Sequence, residues 1–279
     1  MAERIKRNKI RINDISISFL IRKATQKEQR TVIFIHGFPF NKKMWTPQLE
    51  ALDESTTGIA IDVRGHGNTT SGHGFLSIDL FAKDLIAFIK KMELHQVVVC
   101  GISMGGYIAL RAYEIAPTLF AGLILSDTHS KADDNVAKQK RFDSIQAVLT
   151  HGRRPFAIGF IENVFANPRA DDNAEAVDVI KSSIRRNSLN SICATLLALA
   201  ARTDTSDVLP NISVPTLLIR GQQDKITADE LMQEMQEKIP QSKFVTIAES
   251  GHLPNLEQPT LFNEALNSYL NNFSKSATN

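Results

Sequence analysis

Short runs of β-branched and aromatic residues alternate along this chain with longer segments of helical period. Thr31 to His36 (T-V-I-F-I-H) is a continuous run closed by Gly37, the pattern of a strand buried on both faces of a mainly parallel sheet. Gly58 to Asp62, Gln96 to Cys100, Gly122 to Leu125, Thr216 to Ile219 and Phe244 to Ile247 repeat it. Leu80, Leu85, Phe88 and Ile89 precede the third of these runs at helical spacing, and Ile108, Leu110, Tyr113 and Ile115 follow it, ended by Pro117. Ahead of them all, Lys9 to Ile21 reads as a hairpin turning at Asn13-Asp14. Strands alternating with helices predict an α/β fold whose ligand site lies at the carboxyl ends of the strands.

The alternation stops between His129 and Ser206, where four amphipathic stripes replace it: Phe142, Ile145 and Leu149; Ile158, Ile161 and Phe165; Val177, Ile180 and Ile184; Ile192, Leu196 and Leu199. The expectation is a helical insertion over 129–206 after the sixth strand, dividing a core made of 1–128 and 207–279. The strand-helix pattern resumes at Asn211, and Leu256 to Leu270 forms the last predicted helix.

Composition narrows the classes. With 279 residues, 43% apolar and 22% charged, the chain suits one large globular α/β unit. A net charge of +2 is too small to argue for nucleic acid or anionic membranes, and neither is expected as a partner. The basic cluster Arg4, Lys6, Arg7, Lys9 and Arg11 alternates with Ile5, Ile10 and Ile12 and reads as a solvated edge strand. The opening residues lack the apolar stretch of about 7–15 residues of a secretory signal, and no run of about 18 is present to span a bilayer; a cytoplasmic location is expected. Two separated cysteines, Cys100 and Cys193, make neither a disulfide framework nor a metal site, and no metal or organic cofactor is expected.

Chemistry enters with Gly101-Ile102-Ser103-Met104-Gly105, set directly between a predicted strand and a predicted helix. A G-x-S-x-G run in that context is a nucleophile elbow, which lifts the serine hydroxyl clear of the sheet and aims helix N-terminal amides at a developing negative charge. Serine needs a base, and the base needs a group to fix its tautomer. Asp224 lies just past the Thr216 to Ile219 strand and His252 just past Phe244 to Ile247, giving the order Ser, Asp, His. Asp127, which also ends a strand, is a second candidate for the acid; Glu249 is a weaker one. The backbone N–H groups of Met104 and Phe38 are the expected oxyanion donors, since Pro39 has none. Phe38 and His129 are expected at the substrate pocket. His36 and His66 are expected to be structural, and His73, His95 and His151 to be surface residues.

The segments H-G-F-P, D-x-R-G-H-G, G-I-S-M-G-G, the late G-x-x-D and G-H together resemble the α/β-hydrolase superfamily across nearly the whole chain. Within it, G-I-S-M-G-G-Y, A-P and G-L-I-L-S-D-T are most similar to 3-oxoadipate enol-lactonases, small carboxylesterases and cofactor-free haloperoxidase-like enzymes. The resemblance implies Ser103, Asp224 and His252 as a triad, Phe38 and Met104 as the oxyanion hole, and residues 129–206 as a cap over the pocket. It implies an esterase or lactonase acting on a small-molecule ester or lactone. Halide displacement and epoxide opening require an aspartate at the elbow and are disfavoured by Ser103. Carbon–carbon bond hydrolysis, perhydrolysis and a slow-turnover ligand sensor remain alternatives. For an acidic substrate, Arg153-Arg154 is the pair that attracts notice, although two arginines before a proline are more often solvated.

Overall fold

In the computed structural model, which describes residues 4–27 and 30–276, the apolar runs become strands: β1 (Lys6–Ile12), β2 (Ile15–Arg22), β3 (Arg30–Ile35), β4 (Thr56–Ile61), β5 (Val97–Ile102), β6 (Phe120–Ser126), β7 (Thr216–Gly221) and β8 (Ser242–Ile247). They form one sheet in the order β1-β2-β4-β3-β5-β6-β7-β8. β2 is antiparallel to both of its neighbours, and the remaining pairs are parallel. The helices are α1 (Thr46–Ala51), α2 (Ile78–Lys91), α3 (Met104–Ile115), α4 (Asn135–His151), α5 (Arg153–Val164), α6 (Ala174–Arg186), α7 (Leu189–Ala200), α8 (Asp229–Lys238), α9 (Pro254–Glu257) and α10 (Pro259–Ser276). None of the described helices is long and apolar enough to cross a membrane.

Successive strand side chains point to opposite faces, so each buried strand feeds two cores. Ile33 and Ile35 of β3 pack with Phe81 and Phe88 of α2, Ile108 of α3 and Met235 of α8. Val32 and Phe34 pack on the other side with Leu49 of α1 and Phe262 and Leu266 of α10. Both clusters extend into the helices between β6 and β7, through Val148, Ile192 and Leu196 on one side and Ile161, Ile180 and Ile184 on the other.

Four expectations need correction. β8 is an edge strand, and its Phe244 and Val245 are only half-buried, because no strand covers its outer side. The predicted last helix is two: Pro259 brings no N–H and pushes its predecessor out of helical geometry, and Gln258 breaks the chain at φ −131°, ψ 62°. Ile115 and Ile158, read as inward, are exposed. In α4 the inward stripe is rotated by one residue: Phe142 and Leu149 are 47% and 62% exposed while Val148 is fully buried. Positions 141, 145 and 148 share that inner face by helical spacing, so the rotation carries a charged residue, Arg141, inward.

Candidate active site

Ser103 stands at the end of β5 and immediately before α3, with φ 54° and ψ −118°, a backbone conformation that L residues occupy only under constraint. The constraint is visible. Its N–H donates to the Ser126 carbonyl at 2.9 Å, and its carbonyl accepts from the Gly106 N–H at 2.9 Å and the Thr128 hydroxyl at 2.8 Å. The elbow glycines are sterically required: a Cβ on Gly101 would lie 2.2 Å from the Gly105 carbonyl oxygen, and one on Gly105 would lie 2.2 Å from that of Ile35. Both obstacles are backbone atoms. Gly101→Ala is therefore expected to cost about 2 kcal/mol or more, read as a lowered urea midpoint; an unchanged midpoint would show that the elbow relaxes freely.

His252 follows β8, and its Nδ1 lies 2.9 Å from Asp224 Oδ2, with both residues buried. Asp224 Oδ1 accepts from the Ile226 and Thr227 amides at 2.8 and 3.3 Å. Burial pushes the Asp224 carboxyl up, but the adjoining His252 and the two amides outweigh it and hold the group below the usual range. Asp127 is the reverse case. Burial and the neighbouring Asp224 charge push its pKa well above the carboxylate range, against the bonds it accepts from Ser126 Oγ and the Gly221 N–H. Asp127, Asp224 and His252 place donor atoms within 4.8 Å of one another, yet the carboxylate oxygens of both aspartates are already engaged by protein hydrogen bonds.

Ser103 and His252 meet at a pocket of about 100 Å³. No Ser103–His252 hydrogen bond is present among the described residues, as is common for catalytic pairs that tighten only around substrate. Met104 and Phe38 border the same pocket, and neither backbone N–H donates to a described protein acceptor. Phe160 of α5, Leu199 of α7 and Ile226 supply apolar wall; Tyr107 of α3 and Arg141 of α4 supply the polar part. A wider groove of about 700 Å³, lined by Arg4, Arg7, Arg22 and Lys43 among others, contains no such pairing of serine and histidine.

His129 is not among the pocket-lining residues. Its Nε2 faces the Tyr107 hydroxyl at 3.2 Å and Arg202 Nη2 at 3.4 Å. A guanidinium only donates, so Nε2 is the acceptor and Nδ1 carries the proton. Burial, with the Arg202 charge next, depresses its pKa to about 4, so the ring is neutral near pH 7. It thus meets the site through Tyr107. His36 is wholly buried with its pKa lowered to about 4 by burial; Nδ1 donates to the Gly37 carbonyl and Nε2 accepts from the Val63 N–H. His66, buried beside it, bonds the Arg64 carbonyl. His73, His95 and His151 are exposed.

Arg141, Tyr107, Phe160, Leu199 and Ile226 were not legible as site residues. Tyr107 had one available signal, its place one helical turn after Ser103. Arg141 had another, its register with Ile145 and Val148.

A family model for the α/β-hydrolase fold matches residues 30–259. A 3-oxoadipate enol-lactonase of Acinetobacter baylyi is 29% identical over 248 residues, covering 89% of this chain and 91% of its own. Among solved structures, a thermophilic esterase from Thermogutta terrifontis superposes with a TM-score of 0.88 at 31% identity, covering 96% of this chain and 99% of that one. The enol-lactonase from Burkholderia xenovorans LB400 gives 0.86 at 18% identity, covering 95% and 100%, a likeness of fold.

Proposed function

The chain belongs to the α/β-hydrolase family, and from that premise we propose that it hydrolyses a carboxylic ester or lactone through a covalent intermediate on Ser103. The observation that carries the reading is the His252 Nδ1–Asp224 bond, with the same imidazole and Ser103 bordering one pocket. Asp224 holds the proton of His252 on Nδ1, which leaves Nε2 free to take the proton of the Ser103 hydroxyl. Ser103 Oγ then bonds to the scissile carbonyl carbon. The carbonyl oxygen becomes an oxyanion facing the Met104 and Phe38 amides. Collapse breaks the C–O bond, and His252 returns the proton to the departing alcohol. Water, deprotonated by His252, attacks the acyl-serine and frees the acid. The kinship with proteins named esterase and enol-lactonase supports this reaction class.

Residues 129–206 act in this reading as a cap on a core of 1–128 and 207–279, since Arg141, Phe160 and Leu199 reach the pocket from that segment. The pocket is well below the ~300–1,000 Å³ of sites for drug-sized ligands, which favours short acyl groups or small lactones.

Two measurements test the proposal. Mixing with excess 4-nitrophenyl acetate should release about one equivalent of nitrophenol in a burst before steady turnover if deacylation is the slower step. A phosphonate ester should abolish turnover and, after peptide mass mapping, modify Ser103. Loss of turnover with the label elsewhere, or a fully active enzyme left unlabelled, overturns the assignment.

A further inference from the structure

We infer that the groove of about 700 Å³ between the β1–β2 face and α1 is a second binding site, for a small soluble molecule carrying a diphosphate group. Its walls set Arg4, Arg7, Arg22 and Lys43 against one acid, Glu50, and share no residue with the catalytic pocket. Register explains the convergence. Arg7 lies opposite Leu20 across the β1–β2 ladder, and Arg22, two residues further along β2, turns to the same face as Leu20. Lys43, from the turn before α1, and Glu50, from α1 itself, close the groove on its other side.

Arg22 makes this more than a basic surface. It is 3% exposed, and its Nη1 donates to the Asp53 and Thr56 carbonyls at 2.8 and 3.2 Å. Those partners are dipoles, not charges. Among the described residues its Nε and Nη2 have no acceptor. The carboxylate of Asp53 is turned to Ser55 and Thr56 and lies 4.0 Å from Arg30. A guanidinium so deeply set is costly without a counter-charge, and its planar fork suits two phosphate oxygens at once. The other three cations add field, since a cleft lined by one sign of charge concentrates ions of the other. That field reaches Lys42, whose pKa is lowered chiefly by burial, against the pull of Asp62, with the Arg7 and Lys43 charges adding to the lowering. The volume suits a ligand of drug size, ~300–1,000 Å³. At one end the adjoining depression is lined by Asp172, Glu175 and Glu257, which repels an anion extending that way and favours a compact one.

Calorimetric titration of the whole chain with inorganic pyrophosphate and with ADP tests the inference, in about 0.15 M salt, where exposed charges are screened beyond about 8 Å. Each should bind once per chain, and saturation with one should block the other. Arg22→Lys keeps the charge but loses the planar fork, and should weaken both by about tenfold, the size of one charge-assisted contact. Arg7→Gln, at an exposed position, should weaken both by about threefold and carries the test even where Arg22→Lys unfolds. Lys83→Gln removes an equal charge from an exposed position on α2, on the other face of the sheet, and should change neither affinity. Absence of saturable heat with both ligands overturns the inference. So does an affinity that Arg7→Gln leaves in place, or a loss in Lys83→Gln that matches it. Capture of the chain by phosphatidylcholine vesicles doped with phosphatidylinositol bisphosphate, or tighter binding of a single-stranded oligonucleotide than of ADP, would assign the groove to a membrane or to nucleic acid and overturn the soluble ligand.

Discussion

Ser103→Ala is expected to lower kcat for a simple ester by about 10⁶-fold, the loss seen when the nucleophile of a serine triad is removed. The residual rate should exceed the uncatalysed one, because the Phe38 and Met104 amides remain. Ser103→Gly should be equally inactive, yet the two variants should differ in stability. At φ 54°, ψ −118° the backbone at 103 sits where a Cβ is penalised by about 1–3 kcal/mol. Removing the Cβ releases that strain, and alanine retains it. Thermal melts should therefore place the glycine variant above the alanine variant. Equal melting temperatures would mean that the elbow is unstrained, and ester turnover above about one hundredth of normal in either variant would remove Ser103 from the chemistry.

Two buried aspartates crowd the base, and the second prediction separates them. Asp224→Asn should reduce kcat by about 10⁴-fold, because an amide at that position holds the imidazole in the wrong tautomer. Asp127→Asn should cost less than about tenfold, since burial and the Asp224 charge raise the Asp127 pKa and so favour its uncharged form, of which asparagine is a near-isostere. The Gly221 N–H, now 2.8 Å from Asp127 Oδ1, keeps its acceptor in that variant. Matching losses in the two variants, measured as kcat with circular dichroism confirming the fold, would show that the acids share the role.

The fold was readable because it rests on a strong local signal. Apolar runs such as Val97–Cys100 and Thr216–Ile219 are continuous only when both faces of a sheet are covered, and the glycines around Ser103 mark a turn that tolerates nothing larger. The hairpin at Asn13-Asp14 is likewise local chemistry: Asn13 adopts φ 49°, which asparagine tolerates better than most residues. Less could be read where the cause is distant in sequence. In α4, Phe142 and Leu149 look like the buried stripe, but the neighbours that decide are on α7 and α5, and they select Ile145 and Val148. Arg141 follows them inward because Asp133, which also ion-pairs with the sequence-distant Arg202, holds its guanidinium. β8 carries a core-like run and still ends at an edge, since strand order is a property of the whole sheet. Where a charged side chain turns inward, the chain offers no local pattern to announce it.

A small set of hydrogen bonds ties the segment between β6 and β7 to the loops beneath it. The His252 N–H donates to the Val164 carbonyl at 2.8 Å, and Glu257 binds both the Gly251 and Ala166 amides at 2.9 and 2.8 Å. Farther along, Asn187 donates to the Pro39 carbonyl at 2.7 Å and accepts from the Gly67 N–H at 3.0 Å. Residues 129–206 are thus tied to His252 at one corner and to the Pro39 and Gly67 loops at another, so in the proposed reading lifting that segment as a whole would disturb the groups it covers. In the proposed reading, entry to the pocket would then rest on the movement of individual side chains, a motion that in exposed residues ordinarily takes nanoseconds or less, rather than on displacement of the whole segment.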